Sequence, residues 1–281
     1  MCGNGTRTKE LHEFKPFIKV LDKLIIEWSI LSNKNNINKN DEFIFITTKY
    51  FENKFNVSKN INKIIKNYFK NLNINFIIVD KTPDGPAKSI YACKELIKDK
   101  KNIIIINHDQ FISIDIPLNR NFMSIYFDTC ESKSYCKIEN NKINNVIEKK
   151  RISNCASSGI YGFEDGNQLI WALEELFQHP EIKVKNEFYV GMCINFLINK
   201  DIEFLPITTK CKYDLGTVPN IKYFKSLFSN FIENKKNLFI AMSGGTTTVI
   251  NSTLSGVLTR LKDLQIYDKI YIGNNNQNFS N

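Results

Sequence analysis

Short runs of consecutive apolar residues alternate with amphipathic stretches through the first half of this chain. Three of the runs, at 42–46, 76–79 and 103–106, are rich in β-branched residues and predict strands covered on both faces. Between them, the segments 61–68 and 87–99 carry apolar residues at helical spacing. The alternation predicts an α/β fold built from parallel β-α-β units, with a ligand at the carboxyl ends of the strands.

Beyond residue 122 the pattern changes to strands that pair locally. Segments 135–139 and 142–148 are strand-like and are joined by Asn140-Asn141, which is typical of a β-hairpin. Further strands are predicted at 123–127, 155–163 and 202–207, and helices at 168–177, 188–198 and 218–231. We therefore expect a mixed, mainly parallel, Rossmann-like sheet flanked by helices, with a small hairpin subregion beside it.

The bulk composition is that of a globular protein, long enough for one large domain or for one domain plus a fragment. The chain has 281 residues, 42% of them hydrophobic, which is enough for a sizeable core. No apolar run approaches the roughly 18 residues that a membrane helix requires, and no charged-then-apolar leader opens the sequence. Seven scattered cysteines without a C-x-x-C pair predict reduced thiols. We therefore expect a cytoplasmic protein with no membrane partner.

The formal net charge of +9 does not by itself indicate a nucleic-acid partner. The lysines are interleaved with Asn and Ile, and no compact basic patch with aromatic spacing is present. We expect most of them to be solvated, although their charge would favour an anionic substrate. The sequence thus predicts no nucleic-acid partner, and it leaves open whether identical chains associate as a homo-oligomer.

The N-terminal segment carries the most specific chemical pattern. The sequence Gly-Asn-Gly-Thr-Arg at 3–7 is followed by Lys15-Pro16. Because glycine has no side chain and tolerates positive φ, such a turn lets backbone N–H groups approach phosphate oxygens. Arg7 and Lys15 would add the positive charge that holds a triphosphate and stabilises departing pyrophosphate. The alternative is an ordinary turn rich in Gly and Asn.

This spacing resembles the signature of the sugar-1-phosphate nucleotidyltransferases, G-x-G-T-R followed by K-P-x-x-x-V. The second part here reads Lys-Pro-Phe-Ile-Lys-Val at 15–20. The resemblance, to enzymes like the glucose-1-phosphate thymidylyltransferases, implies in-line displacement that joins a nucleoside triphosphate and a sugar 1-phosphate. It implies catalytic roles for Arg7 and Lys15, and nucleotide binding by Gly3, Gly5 and Thr6.

Two aspartates stand where this reaction would need a divalent cation. Asp109 follows the 103–106 strand at its C-terminal edge, and Asp214 opens an Asp-Leu-Gly-Thr segment. Carboxylate oxygens are the ligands that Mg²⁺ prefers. In the resembled family, aspartates in these two settings share the ion, so the resemblance implies Mg²⁺ held by Asp109 and Asp214. As isolated residues, they are also typical of a strand-end loop and of a helix N-cap.

Four further residues receive sugar-binding roles from the resemblance. Val-Ile-Glu-Lys at 146–149 resembles the family's V-x-E-K strand, in which the glutamate contacts sugar hydroxyls and the lysine contacts the sugar phosphate. A Gly-Ile-Tyr string at 159–161 and a Glu-Phe-Tyr string at 187–189 also have family counterparts. The implied sugar-binding residues are Glu148, Lys149, Gly159 and Glu187. The family usually has an aspartate shortly after the last of these, where this chain has Val-Gly-Met, so the sugar stays open.

The segment Pro-Asp-Gly-Pro-Ala at 83–87 resembles the family's base-recognition turn, P-x-G-x-A, whose backbone reads the nucleobase edge. It implies that Gly85 contacts the nucleotide, and a simple strand-to-helix turn is the alternative. Some family members read thymine with a glutamine three residues before the proline. Here that position is Asp80, which leaves the identity of the base open.

Both ends of the sequence depart from the resembled family. Only Met1-Cys2 precede the glycine turn where the family has an apolar strand, so we expect an N-terminally truncated chain whose sheet lacks its first strand. A strand-like segment at 238–242 and the string Gly-Gly-Thr-Thr-Thr-Val-Ile-Asn at 244–251 resemble the start of the pyrophosphate-dependent phosphofructokinases. We therefore divide the chain into a nucleotidyltransferase domain at 1–234 and a phosphofructokinase-like fragment at 235–281.

Two other classes of function remain open on the sequence alone. One is a catalytically decayed or truncated protein that binds a nucleotide or a sugar phosphate, which a missing first strand would favour. The other is a glycosyltransferase with a related α/β fold. Such enzymes usually coordinate metal through D-x-D, and this chain has Asp-Gln-Phe at 109–111 instead.

Overall fold

Strands and helices alternate along the chain. The computed structural model describes residues 1–3, 6–232, 238–240, 247–264, 269–273 and 279–280. The strands are β1 Lys19–Val20, β2 Lys23–Leu24, β3 Glu42–Thr48, β4 Asn73–Val79, β5 Lys101–Ile106, β6 Gln110–Ser113, β7 Phe122–Phe127, β8 Ser134–Glu139, β9 Lys142–Glu148, β10 Cys155–Asp165, β11 Leu205–Thr208, β12 Cys211–Asp214, β13 Leu238–Ile240, β14 Ile270–Gly273 and β15 Phe279–Ser280. The helices are α1 Ile25–Leu31, α2 Lys49–Phe55, α3 Val57–Tyr68, α4 Pro86–Tyr91, α5 Lys94–Ile97, α6 Gly166–Phe177, α7 Val190–Ile198, α8 Val218–Ile232 and α9 Thr247–Leu264.

The central sheet is organised around the long strand β10. β7 lies along one side of β10, while β8 lies beside its first part and β5 beside its second part on the other side. β9 pairs with β8, and β11 extends the sheet next to β7. The predicted α/β class is confirmed, but the central sheet is not mainly parallel, because among its described strands only β11 runs parallel to a neighbour. A continuous apolar run indicates that both faces of a strand are covered, and it does not fix the direction of the neighbouring strand.

β3 and β4 form a separate parallel pair, with α2 and α3 as the crossover between them. This is the β-α-β unit that the sequence pattern predicts. Among the described strands, these two pair only with each other. The N-terminal ammonium of Met1 donates a hydrogen bond to the carbonyl oxygen of Ile46 in β3, at 2.7 Å. The expectation that a first strand is absent from the sheet stays a prediction.

The largest apolar core lies between the central sheet and helices α6 and α7. Leu169, Leu173 and Leu176 of α6 and Ile194 and Leu197 of α7 are fully buried. Their spacing of three and four residues places them on one face of each helix. The same core takes in apolar residues of β9 and β10, so the helices hold the hairpin and the long strand together. In the described part of the chain, no helix is both long and apolar enough to cross a membrane.

The predicted hairpin is confirmed in detail. Asn140 and Asn141 make the turn between β8 and β9, with φ of +49° and +60°. A two-residue turn that follows the twist of the strands requires positive φ at both positions, and asparagine adopts it more easily than most residues. The segment 87–99 differs from expectation, because it forms the two short helices α4 and α5 and not one helix.

The part of the chain after residue 234 contributes a β-α-β unit. β13 and β14 are parallel, with α9 between them, and β15 pairs antiparallel with β14. The glycine-rich string at 244–246 and the predicted boundary at 234 lie outside the described residues. The likeness of this segment to the phosphofructokinases and the division into two domains therefore stay predictions.

Candidate functional site

A short antiparallel ribbon brings the two predicted metal ligands to the same end of the molecule. β6 pairs with β12, and Asp214 lies opposite Gln110 in the register. Beyond that pair, the backbone N–H of Leu215 donates to the carbonyl oxygen of Asp109 at 2.9 Å. The backbones of Asp109 and Asp214 are therefore neighbours, although about a hundred residues separate them in sequence.

Lys15 is the direct partner of Asp109. The two side chains form an ion pair, with 3.0 Å between Lys15 Nζ and Asp109 Oδ2. Lys15 is held in place because it begins a 3-10 helix directly after the buried Phe14. Burial raises the pKa of Asp109, but the ion pair with Lys15 and the charge of Arg7 oppose it, and that pKa lies below its ordinary value. Asp109 is therefore an ionised carboxylate at neutral pH.

Two lysines that the sequence did not single out hold Asp214. Lys212 Nζ lies 2.6 Å from Oδ1, and Lys133 Nζ lies 3.0 Å from Oδ2. Burial raises the pKa of Asp214, but the two ammonium groups outweigh it and lower that pKa below its ordinary value. Burial also lowers the pKa of Lys212, which lies against the ring of Tyr126 with 4.6 Å from Nζ to the ring centroid.

Glycines border this group of charges on two sides. Gly159 sits at a bulge in β10 with φ of +101°, and a Cβ there would lie 2.6 Å from Asn107 Nδ2. A Cβ on Gly216 would lie 2.9 Å from Asp109 Oδ2. The buried side-chain oxygen of Gln110, Oε1, has no hydrogen-bond partner among the described residues. An acceptor oxygen without a donor therefore lies at the ribbon position opposite Asp214.

Three of the four predicted sugar-binding residues, Glu148, Lys149 and Glu187, gather at the end of β9. Glu148 is buried, with 9% of its surface exposed, and burial raises the pKa of its carboxyl group above the ordinary value. Lys149 has a φ of +53°, and its ammonium group donates to the hydroxyl group of Tyr189. Tyr189 in turn donates to Glu187 Oε2 at 2.5 Å. Lys149, Tyr189 and Glu187 thus form one hydrogen-bonded chain. The sequence predicts a sugar-binding role for the lysine and the glutamate, and it did not single out the tyrosine.

The two groups of residues adjoin through Lys133. The backbone N–H of Lys149 donates to the carbonyl oxygen of Lys133 at 2.8 Å, while the side chain of Lys133 reaches Asp214. Next to it, Ser134 lies opposite Glu148 in the hairpin register. The hairpin therefore joins the aspartate pair to the predicted sugar-binding group.

Gly85 packs against the segment that carries Glu187. Its φ is +95°, and a Cβ there would lie 2.5 Å from the carbonyl oxygen of Phe188. Phe188 N–H donates to the carbonyl oxygen of Asp84 at 2.9 Å, and the same Phe188 oxygen accepts from Ala87 N–H at 3.0 Å. The predicted base-recognition turn is thus docked on the backbone of the predicted sugar-binding segment.

The N-terminal turn is described in part. Thr6 and Arg7 lie in a 3-10 helix, Arg7 is exposed, and Gly5 lies outside the described residues. Gly3 is exposed, and a Cβ there would meet no atom within 4 Å. The charge of Arg7 acts on Asp109, on Lys149 and on Tyr189, so this arginine lies within electrostatic reach of both groups of site residues.

Nucleotidyltransferases are among the solved structures with a similar arrangement of elements. A nucleoside-diphosphate-sugar pyrophosphorylase from Vibrio cholerae aligns over 80% of this chain and 97% of its own, at 17% identity and a TM-score of 0.68. A UDP-glucose pyrophosphorylase in complex with UDP-glucose aligns over 82% and 96%, at 15% identity and a TM-score of 0.63. This chain has the nucleotidyltransferase fold. A CTP:phosphocholine cytidylyltransferase from Streptococcus pneumoniae also shares it, over 80% and 95% of the two chains, at 17% identity and a TM-score of 0.60.

Sequence comparison does not detect this likeness. No family model matches the chain, and no curated protein matches it by sequence. Structural likeness at such low identity establishes the nucleotidyltransferase fold and leaves the chemistry to the residues of the site.

Within the nucleotidyltransferase fold, the predicted residues form two adjoining groups. Lys15, Asp109 and Asp214 make the first group, and Glu148, Lys149 and Glu187 make the second. Within the part of the chain that is described, no three His, Cys, Asp or Glu side chains form a group that could hold a metal ion on their own. Two carboxylates completed by substrate phosphates and water are, however, a usual environment for Mg²⁺. The ionised aspartates and the unpartnered oxygen of Gln110 are the hard oxygen donors that such a site needs.

Proposed function

We propose that this chain transfers a nucleotidyl group from a nucleoside triphosphate to a sugar 1-phosphate, with release of pyrophosphate. The observation that carries the proposal is the meeting of Lys15, Asp109 and Asp214 at one end of the β6/β12 ribbon. These residues come from three distant motifs whose spacing resembles the sugar-1-phosphate nucleotidyltransferases. The likeness in fold to a sugar-nucleotide pyrophosphorylase supports the same class of reaction.

The positive charge at the site suits a triphosphate donor. Lys15 and Arg7 supply two fixed charges around Asp109, and the backbone of the N-terminal turn, with Gly3, Gly5 and Thr6, would contribute N–H groups to phosphate oxygens. Pyrophosphate develops negative charge as it departs, so a lysine and an arginine in this position lower the barrier for its departure. Gly85 would lie at the base, in a turn that is itself fixed by Phe188.

Asp109 and Asp214 are the residues that would hold Mg²⁺. A bound Mg²⁺ polarises phosphoryl oxygens and neutralises charge that develops during transfer. The two aspartates fit this role because both are ionised, both are partly exposed, and their backbones are adjacent. The protein's own lysines would complete the neutralisation of the phosphates.

The acceptor would lie against the hairpin. Buried Glu148 offers oxygen acceptors for sugar hydroxyl groups, and Gly159, on which the amide of Asn107 packs, would border the sugar. Lys149 would bind the acceptor's phosphate, in an orientation set by Tyr189 and Glu187. The phosphate oxygen of the acceptor would then be the nucleophile, and no side chain of the protein has to form a covalent intermediate.

Pyrophosphate release from paired substrates tests the proposal. Each of the common nucleoside triphosphates is combined with a panel of sugar 1-phosphates in the presence of Mg²⁺. We expect release only when both substrates are present, and Asp109→Asn should lower the rate by about 10²-fold or more. Asp115→Asn is the matched control, because this exposed aspartate pairs with Lys210 away from the site and should leave the rate unchanged.

Two other outcomes would replace the proposal. Nucleotide binding without pyrophosphate release from any pair would favour a catalytically decayed binding protein. Turnover of a ready-made nucleotide sugar would favour a glycosyltransferase. Equal rates for the wild-type protein and Asp109→Asn would contradict the assignment of the site itself.

A further inference from the structure

Both oxygens of the Asp214 carboxylate are occupied by the protein's own cations. Lys212 holds Oδ1 at 2.6 Å, and Lys133 holds Oδ2 at 3.0 Å. An ammonium group this close repels a divalent cation strongly, because the two positive charges would share one carboxylate at short range. A cation can therefore bind Asp214 well only if one of the lysines moves away.

The two lysines differ in their freedom to move. Lys212 is on the same face of β12 as Asp214, has 10% of its side chain exposed and packs against Tyr126. Tyr126 is itself fixed by its hydrogen bond to Asp128, at 2.6 Å. Lys133 lies just before β8, and 31% of its side chain is exposed. The long, flexible stem of Lys133 can thus change direction, whereas Lys212 is held by its neighbours.

Lys133 also lies next to a residue suited to an anion. Its carbonyl oxygen accepts from the backbone N–H of Lys149, so the two lysines are neighbours at the end of the hairpin. Lys149 is half-buried, and Arg7 is within electrostatic reach of it. A phosphate bound there would attract the ammonium group of Lys133 away from Asp214.

We propose that Lys133 is a movable counter-ion, which neutralises Asp214 in the free protein and transfers to the phosphate of a bound acceptor. Its departure frees Oδ2, so that Asp214 accepts a divalent cation together with the phosphate and binds it weakly in its absence. The identity of the phosphate as that of an acceptor rests on the proposed function. The competition between Lys133 and a cation for Asp214 does not.

The test measures binding of Mn²⁺ alone, with the full chain and without substrates, by the electron paramagnetic resonance signal of the free ion. We expect Lys133→Met to bind Mn²⁺ about tenfold more tightly than the wild-type protein, because a positive charge near the ligand is removed. Lys210→Met is the matched control, since this lysine pairs with the exposed Asp115. The Mn²⁺ affinity of this variant should equal that of the wild type. The gain should disappear in Lys133→Met combined with Asp214→Asn.

A second measurement follows the coupling to an anion. Inorganic phosphate should tighten Mn²⁺ binding to the wild-type protein by several-fold, because it attracts the ammonium group of Lys133 away from Asp214. It should tighten binding to Lys133→Met much less, because this variant has no lysine to attract. If Lys133→Met does not fold, Lys133→Gln, with a shorter polar side chain, serves in both measurements.

Three results would overturn the proposal. One is a Mn²⁺ affinity of the Lys133 variants equal to that of Lys210→Met. The second is a gain that persists without the Asp214 carboxylate, and the third is no Mn²⁺ binding by any variant. Neither Mn²⁺ measurement depends on pyrophosphate release. A tighter Mn²⁺ affinity of the Lys133 variants would therefore stand even if the proposed function failed.

Discussion

Replacement of Gly85 by alanine should destabilise the whole domain, because the turn at this glycine is packed against a buried backbone. Gly85 has φ of +95° and ψ of 174°, a region that only glycine adopts readily. A Cβ there would lie 2.5 Å from Phe188 O, 2.7 Å from Phe188 N and 2.9 Å from Glu187 Cβ. These atoms belong to backbone and a neighbouring Cβ, so they cannot swing aside as the end of a long side chain could.

Two contributions set the magnitude. The backbone strain alone costs of the order of 1–3 kcal/mol. Separation of the two segments also breaks the hydrogen bonds from Phe188 N to Asp84 O and from Ala87 N to Phe188 O, each worth a net amount of about 1 kcal/mol. Gly85→Ala should therefore lower the free energy of unfolding by about 3–5 kcal/mol, a large part of the usual stability of a domain.

Urea unfolding followed by the fluorescence of Trp28 and Trp171 measures this difference. Gly3→Ala is the matched control, because a Cβ at that exposed glycine meets nothing within 4 Å, and its stability should stay within about 0.5 kcal/mol of the wild type. A midpoint for Gly85→Ala equal to that of the control would refute the packing argument. If Gly85→Ala kept the stability of the wild type but lost affinity for nucleotides, Gly85 would matter for ligand binding and not for packing.

Two further substitutions test the hairpin. Glu148→Gln should raise stability at neutral pH and flatten the pH dependence of stability. Burial raises the pKa of Glu148 in the folded state, so the folded protein binds the proton more tightly than the unfolded chain does. Stability of the wild type therefore falls as the pH rises from the ordinary glutamate pKa to the raised one. Urea midpoints from pH 4 to 8 check this, and parallel profiles for wild type and variant would contradict it. Asn141→Val should cost about 1–2 kcal/mol by the same assay, because a β-branched residue resists the φ of +60° at this position, while Asn141→Gly should match or exceed the wild type. Equal midpoints for valine and glycine would refute this account of the turn.

The sequence was most informative where a local rule decides the structure. The four isoleucines at 103–106 predict β5 and thereby place Asp109 just beyond a strand end. Asn140-Asn141 predicts the hairpin, because the two-residue turn demands residues that tolerate positive φ. In both cases the signal lies within a few neighbouring residues.

The ribbon of β6 and β12 could not be predicted in the same way. Each strand has four residues, too few for a periodic pattern, and each is stabilised by a partner that is distant in the chain. The roles of Lys133 and Lys212 depend on that pairing and on the hairpin, so no local signal marks them among the many lysines. The spacing of Lys212 two residues before Asp214 is the one clue, and it has meaning only once the segment is known to be a strand.

The direction of the strands was misjudged for a related reason. The apolar run at 103–106 predicts a strand covered on both faces, but in β5 only Ile105 is buried and Ile106 is exposed. Its neighbour β10 arrives from a later part of the chain and runs antiparallel. Burial is encoded in composition, whereas strand order and direction depend on how the whole chain is threaded.

The long strand β10 has a consequence for protein engineering. It is hydrogen-bonded to the hairpin strand β8 and to β5, and the bulge at Gly159 separates these two stretches. A hairpin transplanted from a relative to change acceptor preference would thus be spliced onto the same backbone that aligns the strand before Asp109. Such a graft would retain correct alignment only if the donor sequence kept a bulge of the same length, since an offset of one residue would turn every side chain beyond the junction to the opposite face.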